Sequence, residues 1–184
     1  FAQIKAQVDA VGALSRIGGV FAGNAGGGLT LYASGSLNSG NNPNWDFGGP
    51  WAEWTGQTGN GKFEDAANWQ PAAVPGADSW ARIDGAQPMV VTSTVTLGRL
   101  VVGGSSTSTT VTVNGTLTVA ESVTVFDNGT LLWNRPGIVG TDVRVLAGGT
   151  LTHSGNTSTE VNKLNLTVLG DFCVDSGGAV DVTG

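Results

Sequence analysis

The sequence predicts an all-β chain whose second half is a β-solenoid, and three observations carry that expectation. Apolar residues two apart recur in near-identical units, glycine and amide residues mark the bends between them, and charge is sparse. Only 12% of the 184 residues are charged and 30 are glycine, while 40% are hydrophobic, a share with regular Val and Leu spacing that argues against disorder. A chain so poor in charge satisfies its backbone through β-ladders and turns, with hydroxyl and amide side chains on the wet face.

The repeat lies in residues 85–184. Val123, Val125, Gly129 and Leu131 share their spacing with Val143, Val145, Gly149 and Leu151, and again with Phe172, Val174, Gly178 and Val180. A shorter form, with two residues fewer in the turn, occurs at Val111, Val113, Gly115, Leu117 and at Leu166, Val168, Gly170, Phe172. Each unit places two inward residues before a glycine bend and a third inward residue after it, the period-2 signature of short strands. Val123 to Val143 is 20 residues and Val143 to Phe172 is 29, which suits successive coils with a loop inserted into one of them. A β-sandwich of short hairpins is the competing architecture; near-identical turns on a coil-length period favour the solenoid.

Residues 1–44 form a Gly-rich N-terminal segment. Phe1, Ile4, Val8 and Val11 lie on one helical stripe, so a short helix is one expectation and an isolated strand-like piece the other. The glycines from Gly18 to Gly28 lack the Gly-Lys-Ser/Thr ending of a phosphate loop and are expected to shape a hairpin.

Residues 45–84 hold Trp45, Trp51, Trp54, Trp69 and Trp80 among turn residues, the pattern of a compact irregular cap pinned by aromatic packing. Here Trp54, the glycine turns, Phe63, Asn68-Trp69, Pro75-Gly76 and Asp78 precede strands such as Gly115-Thr-Leu-Thr-Val119. From Trp54 to the end, this pattern resembles large exported bacterial surface proteins with repetitive, autotransporter-passenger-like β-solenoid segments. Phe63 departs from it, standing where Trp is commoner. The resemblance implies a right-handed β-helix at a cell surface or outside the cell, and it supplies no catalytic residues.

The candidate chemistry is thin. Asp171, Asp175 and Asp181 have the parity of outward or bend positions, where acids are ordinarily solvated; carboxylates and turn carbonyls there suit at most a weak calcium site, and no other cofactor is expected. His153 is the only histidine, so any Ser/His/Asp device would depend on it. Its place at a strand end fits a turn or ladder role instead. Cys173 is the only cysteine, which excludes an internal disulfide framework, and with no basic neighbour an activated thiolate is not expected. Of the sequons at Asn114, Asn128, Asn156 and Asn165, the first two are the Asn-Gly-Thr turn of the repeat, for which turn geometry is sufficient.

The tryptophans are the better lead. Trp45, Asp46, Trp51, Glu53 and Trp54 combine flat aromatic faces with acids and form the candidate ligand site, for a polysaccharide or cell-surface glycan. The competing role for Trp51, Trp54, Trp69 and Trp80 is to close the end of the solenoid core. Net charge is −6 with scattered basic residues, which speaks against nucleic acid, and no run of 18 apolar residues could span a membrane. The chain opens at Phe1 without a signal peptide and stops at Gly184 in mid-pattern. A fragment or processed product is therefore expected, with an open last coil able to self-associate. With what the resemblance implies, these features lead to the expectation of an extracellular structural, adhesive or assembly element of a bacterial surface protein. The alternatives are an accessory or substrate-binding part of a polysaccharide-degrading β-helix enzyme, or a carbohydrate-binding module.

Overall fold

The computed structural model describes the backbone of four short strands before residue 50 and the continuous segment 51–183. The chain divides into two compact units, Phe1–Gly49 and Pro50–Gly184.

In the first unit, β1 (Ser15–Ile17), β2 (Val20–Ala22), β3 (Leu31–Ala33) and β4 (Trp45–Asp46) form one sheet in that order. Ile17 pairs antiparallel with Val20, so a two-residue Gly-Gly connection joins β1 to β2. The β2–β3 pair is antiparallel and β3–β4 is parallel. The glycine-rich stretch thus joins antiparallel strands. The Phe1–Val11 stripe lies outside the described residues.

The second unit opens with β5 (Trp51–Trp54), a 3-10 turn (Ala66–Asn68) and β6 (Trp69–Gln70). Fourteen strands follow: β7 (Trp80–Ile83), β8 (Met89–Val91), β9 (Val95–Leu97), β10 (Arg99–Val102), β11 (Thr109–Val113), β12 (Leu117–Val119), β13 (Val123–Val125), β14 (Gly129–Trp133), β15 (Gly137–Val139), β16 (Val143–Val145), β17 (Thr150–Thr152), β18 (Leu166–Val168), β19 (Phe172–Val174) and β20 (Ala179–Asp181). They are dealt in turn to three sheets. The first runs β6-β5-β7-β10-β13-β16-β19, the second β8-β11-β14-β17-β20 and the third β9-β12-β15-β18. Every pair from β7 onward is parallel, and strands three apart in sequence are neighbours in space, which is a solenoid-like arrangement.

Register follows the repeat. Val123 pairs with Val143 and Val143 with Phe172; Val125 pairs with Val145 and Val145 with Val174; Leu131 pairs with Leu151 and Leu151 with Val180. Most of these side chains are fully buried, and each Val or Leu so removed from water contributes about 1.5–3 kcal/mol. Phe172, Val174 and Val180 continue the columns but are 38–45% exposed, because no described coil covers them. The extra length of the 29-residue interval is the loop between β17 and β18, braced by Asn156, whose side chain accepts from the Val161 and Asn162 N–H groups and donates to the Asn162 carbonyl.

Two expectations need correcting. The short units are not equivalent: Val111–Leu117 spans the bend from second to third sheet, whereas Leu166–Phe172 spans that from third to first. Spacing alone does not distinguish two bends of equal length. And β7, within the stretch assigned to the cap, is already a strand of the stack, because Ala81 and Ile83 join its core.

One bend requires glycine for a physical reason. A Cβ on Gly129, Gly149 or Gly178 would lie 2.6 Å from the carbonyl oxygen of Val102, Val125 or Val145 in the coil before. The residue preceding each is left-handed: Asn128 (φ 57), Gly148 (φ 77) and Gly177 (φ 88). Elsewhere volumes are matched. Trp133 is fully buried among Val and Leu, and a Cβ on Gly137 would meet its ring at 2.4 Å, so the missing side chain of Gly137 makes room for the indole.

The second-to-third bend carries a side-chain ladder. Asn134, 2% exposed, donates to Asn114 Oδ1 (2.7 Å) and Ser154 Oγ (2.9 Å) and accepts from the Ser154 N–H (2.7 Å). At the same bend of the first coil, Glu64 from the cap accepts from the N–H and hydroxyl groups of both Thr92 and Ser93. Partial burial opposes ionisation of Glu64, but the Ser93 hydroxyl and the backbone N–H donors together outweigh it and hold the carboxyl at about 2.

Candidate functional site

The three candidate residues on β5 separate by strand parity. Ala52 and Trp54 point into the core, whereas Trp51 and Glu53 have the opposite parity on β5. Trp54 is 7% exposed, donates its indole N–H to the Gln87 carbonyl (3.0 Å), and meets Trp69 edge to face at 5.1 Å. It is therefore withdrawn from the ligand set: its ring is committed to packing and its one donor is satisfied. The side chains of Trp45 and Asp46 lie outside the described residues.

The closing role belongs to half of the tryptophans named for it. Trp54, Phe63 and Trp69 stack edge to face over the N-terminal end of the core. Asn68 holds them. Fully buried, its amide accepts from the Thr58 N–H (2.9 Å) and hydroxyl (2.7 Å) and donates to Asn60 Oδ1 (2.8 Å) and the Lys62 carbonyl (3.1 Å). Trp69 next to it donates to the Phe63 carbonyl at 2.8 Å. The Asn68-Trp69 pair is thus the hydrogen-bonded centre of the cap. Trp51 and Trp80 instead lie on the outer face, in register with each other and outside the core cluster.

Pairing of β5, β7 and β10 builds a small site on that face. Trp51, Trp80 and Arg99 occupy one column. Trp80 meets Trp51 edge to face at 5.1 Å, and the Arg99 guanidinium sits 3.8 Å from the Trp80 ring centre, a cation–π contact. Glu121 ties them, its carboxylate accepting from Arg99 (2.8 Å) and from the Trp80 indole (3.3 Å). In the adjacent column Glu53 pairs in register with Arg82, their charges 4.0 Å apart, and Arg82 also reaches Asp84 at 2.9 Å. Partial burial raises the Glu53 carboxyl above its ordinary range, with Arg82 opposing and Asp84 adding to the shift. Trp51 is half-buried while Trp80 is 5% exposed, so Trp51 is the ring of the pair that solvent reaches.

Arg82, Arg99 and Glu121 are missed by the sequence reading. The alternation Trp80, Ala81, Arg82, Ile83 is a legible sign that Trp80 and Arg82 face outward. The partnership with β5 is not legible, because irregular chain separates the two strands.

The remaining candidates stay apart. Asp171 N–H bonds Asp142, Asp175 lies 3.6 Å from Arg144, and Asp181 accepts from Thr183. Among the described residues no three His, Cys, Asp or Glu side chains converge as metal ligands would. His153 sits with its ring nitrogens 2.9 Å from the Ser154 carbonyl and 3.2 Å from the Val182 carbonyl, at the strand end. Cys173 is exposed, and the expectation that it lacks a basic neighbour is corrected: register sets Arg144 beside it. No described helix is long and apolar enough to cross a membrane. No protein-family model, curated protein or solved structure matches the chain.

Proposed function

We propose that this chain is an extracellular structural element of a bacterial surface protein, a right-handed β-helix used for display, adhesion or assembly. The observation that carries the reading is the in-register parallel stacking of β7–β20. Such a stack grows by adding coils, each contacting only its neighbours, and so makes a stiff spacer at constant cross-section. Closed coils of right-handed sense accord with the handedness of parallel strand crossovers generally. The outward positions of the second and third sheets are rich in threonine, among them Thr110, Thr112, Thr118, Thr130 and Thr167, which keeps these faces polar with little charge.

Cys173 provides the test, being the only cysteine and exposed. Intact producing cells treated with a membrane-impermeant maleimide should label the chain as fully as lysed cells do. Labelling seen only after lysis would place it inside the cell and overturn the reading.

A further inference from the structure

We propose that Trp51, Glu53 and Arg82 form a binding site for one neutral hexopyranose unit of a glycan, on the outer face of the first sheet beside the cap. This deepens the adhesive reading above and rests on it for the choice of a saccharide over other polar rings. A pyranose has an apolar C–H face and an edge of vicinal hydroxyls, and the site offers a surface for each. Trp51 supplies the face. Its indole is held edge to face by Trp80, which is fixed in turn by Arg99 and Glu121, so little side-chain freedom is lost when a ring stacks on it.

Glu53 lies two residues along the same strand, roughly 7 Å away, about the reach of one sugar ring. Its carboxylate accepts from a hydroxyl while Arg82, its register partner, donates to the neighbouring oxygen; both side chains are almost half exposed, at 47% and 44%. Charge selects the class of sugar. Three carboxylates (Glu53, Asp84 and Glu121) surround two guanidinium groups already engaged with them. A uronate or sulfated sugar would be repelled by these acids with no unspent cation to offset them, whereas a neutral sugar meets no such repulsion.

The experiment uses the 184-residue chain and soluble oligosaccharides of glucose, galactose, mannose and N-acetylglucosamine, with oligogalacturonate as the charged comparison. Binding is read by calorimetry and by the shift of the Trp51 indole N–H in heteronuclear NMR. At least one neutral probe should bind and shift that resonance. Trp51→Ala should weaken binding by about tenfold or more, and Glu53→Gln and Arg82→Gln each by several-fold, with unchanged melting temperatures. Should Trp51→Ala melt early, the two polar variants and the indole shift decide the matter alone.

The site is overturned if no neutral probe binds at millimolar concentration, if oligogalacturonate binds more tightly than all of them, or if binding survives both polar variants. Since none of these results bears on maleimide labelling of intact cells, failure of the site and failure of the surface reading are separable.

Discussion

The cap, residues 51–70, and the stack from β7 to β20 satisfy their polar groups in opposite ways. In the stack the backbone does most of this: strand N–H and C=O groups pair with the neighbouring coil, and most strand side chains need only alternate apolar and polar. In the cap only β5 and β6 join a ladder; between them the chain turns too irregularly for one, and side chains substitute for it. Asn68 alone makes four side-chain hydrogen bonds while its carbonyl accepts from Thr55 and Gly56. Tolerance to substitution should therefore differ. The stack is sensitive to inward volume and charge, the cap to single polar atoms.

The largest effects compare one buried acid in each region. Val145→Asp places an uncompensated carboxylate in a fully buried column and should cost several kcal/mol, on the order of 3–5. Asn68→Asp replaces a donor by an anion facing Asn60 Oδ1 and the Lys62 carbonyl, at a comparable cost. The two should differ in reach. Because coils depend on their neighbours, Val145→Asp should lower hydrogen-exchange protection from β10 through β17. Asn68→Asp should strip protection from residues 51–70 while β13 to β17 keep theirs. Loss of protection along the whole stack in Asn68→Asp would show that the two regions are a single cooperative unit.

Legibility followed the same division. The inward columns at Val123, Val143 and Phe172 were readable because a parallel stack copies its register directly into spacing. Trp54 and Trp51 differ by three residues and so fall on opposite faces of one strand, yet the sequence reading grouped them, since nothing local marks where an irregular segment becomes extended. Asn68-Trp69 belongs to the pattern that carries the resemblance, but its role depends on Thr58, Asn60 and Lys62 converging around one amide. That is tertiary geometry without a periodic trace. The Trp51–Glu53–Arg82 site was half visible for the same reason: Trp51 and Glu53 lie on one strand, whereas Arg82 arrives only through the pairing of β5 with β7.

A smaller, pH-dependent effect tests the junction between the regions. Glu64 carries its charge into the stack, onto Thr92 and Ser93, with a folded-state carboxyl at about 2 against an ordinary 4.5. A carboxyl depressed on folding stabilises the native state above its unfolded value and loses that contribution as pH falls toward the folded one. The Glu64 contribution should hold above pH 4.5 and decline between 4.5 and about 2. Other acids titrate there too, so the difference between parent and Glu64→Gln isolates it. The variant should melt lower at pH 7, by an amount equivalent to about 1–3 kcal/mol, and the two curves should converge toward pH 2. Parallel curves across the acid range would mean that the hydrogen bonds from Thr92 and Ser93 do not depend on the charge.

The smallest effect sharpens the comparison, because it removes an asparagine from the stack as the first removed one from the cap. Asn128 is the non-glycine left-handed residue among those described, at φ 57, and its amide donates to the Ser105 carbonyl at 2.9 Å. In the next two coils the same bend position is Gly148 and Gly177. Asn128→Gly relieves the cost of a left-handed side chain and gives up two exposed hydrogen bonds, to the Ser105 carbonyl and, at 3.5 Å, to the Asp127 carboxylate, terms of opposite sign and similar size. It also adds freedom to the unfolded chain. The net change should lie within about 0.5 kcal/mol, against several for Asn68, although both side chains are amides donating to a backbone carbonyl. Chemical denaturation of the two variants against the parent measures the ratio directly. If Asn128→Gly cost as much as Asn68→Asp, side-chain bonds would govern the bends of the stack as they do the cap, and the contrast between ladder-built and side-chain-built regions would fail.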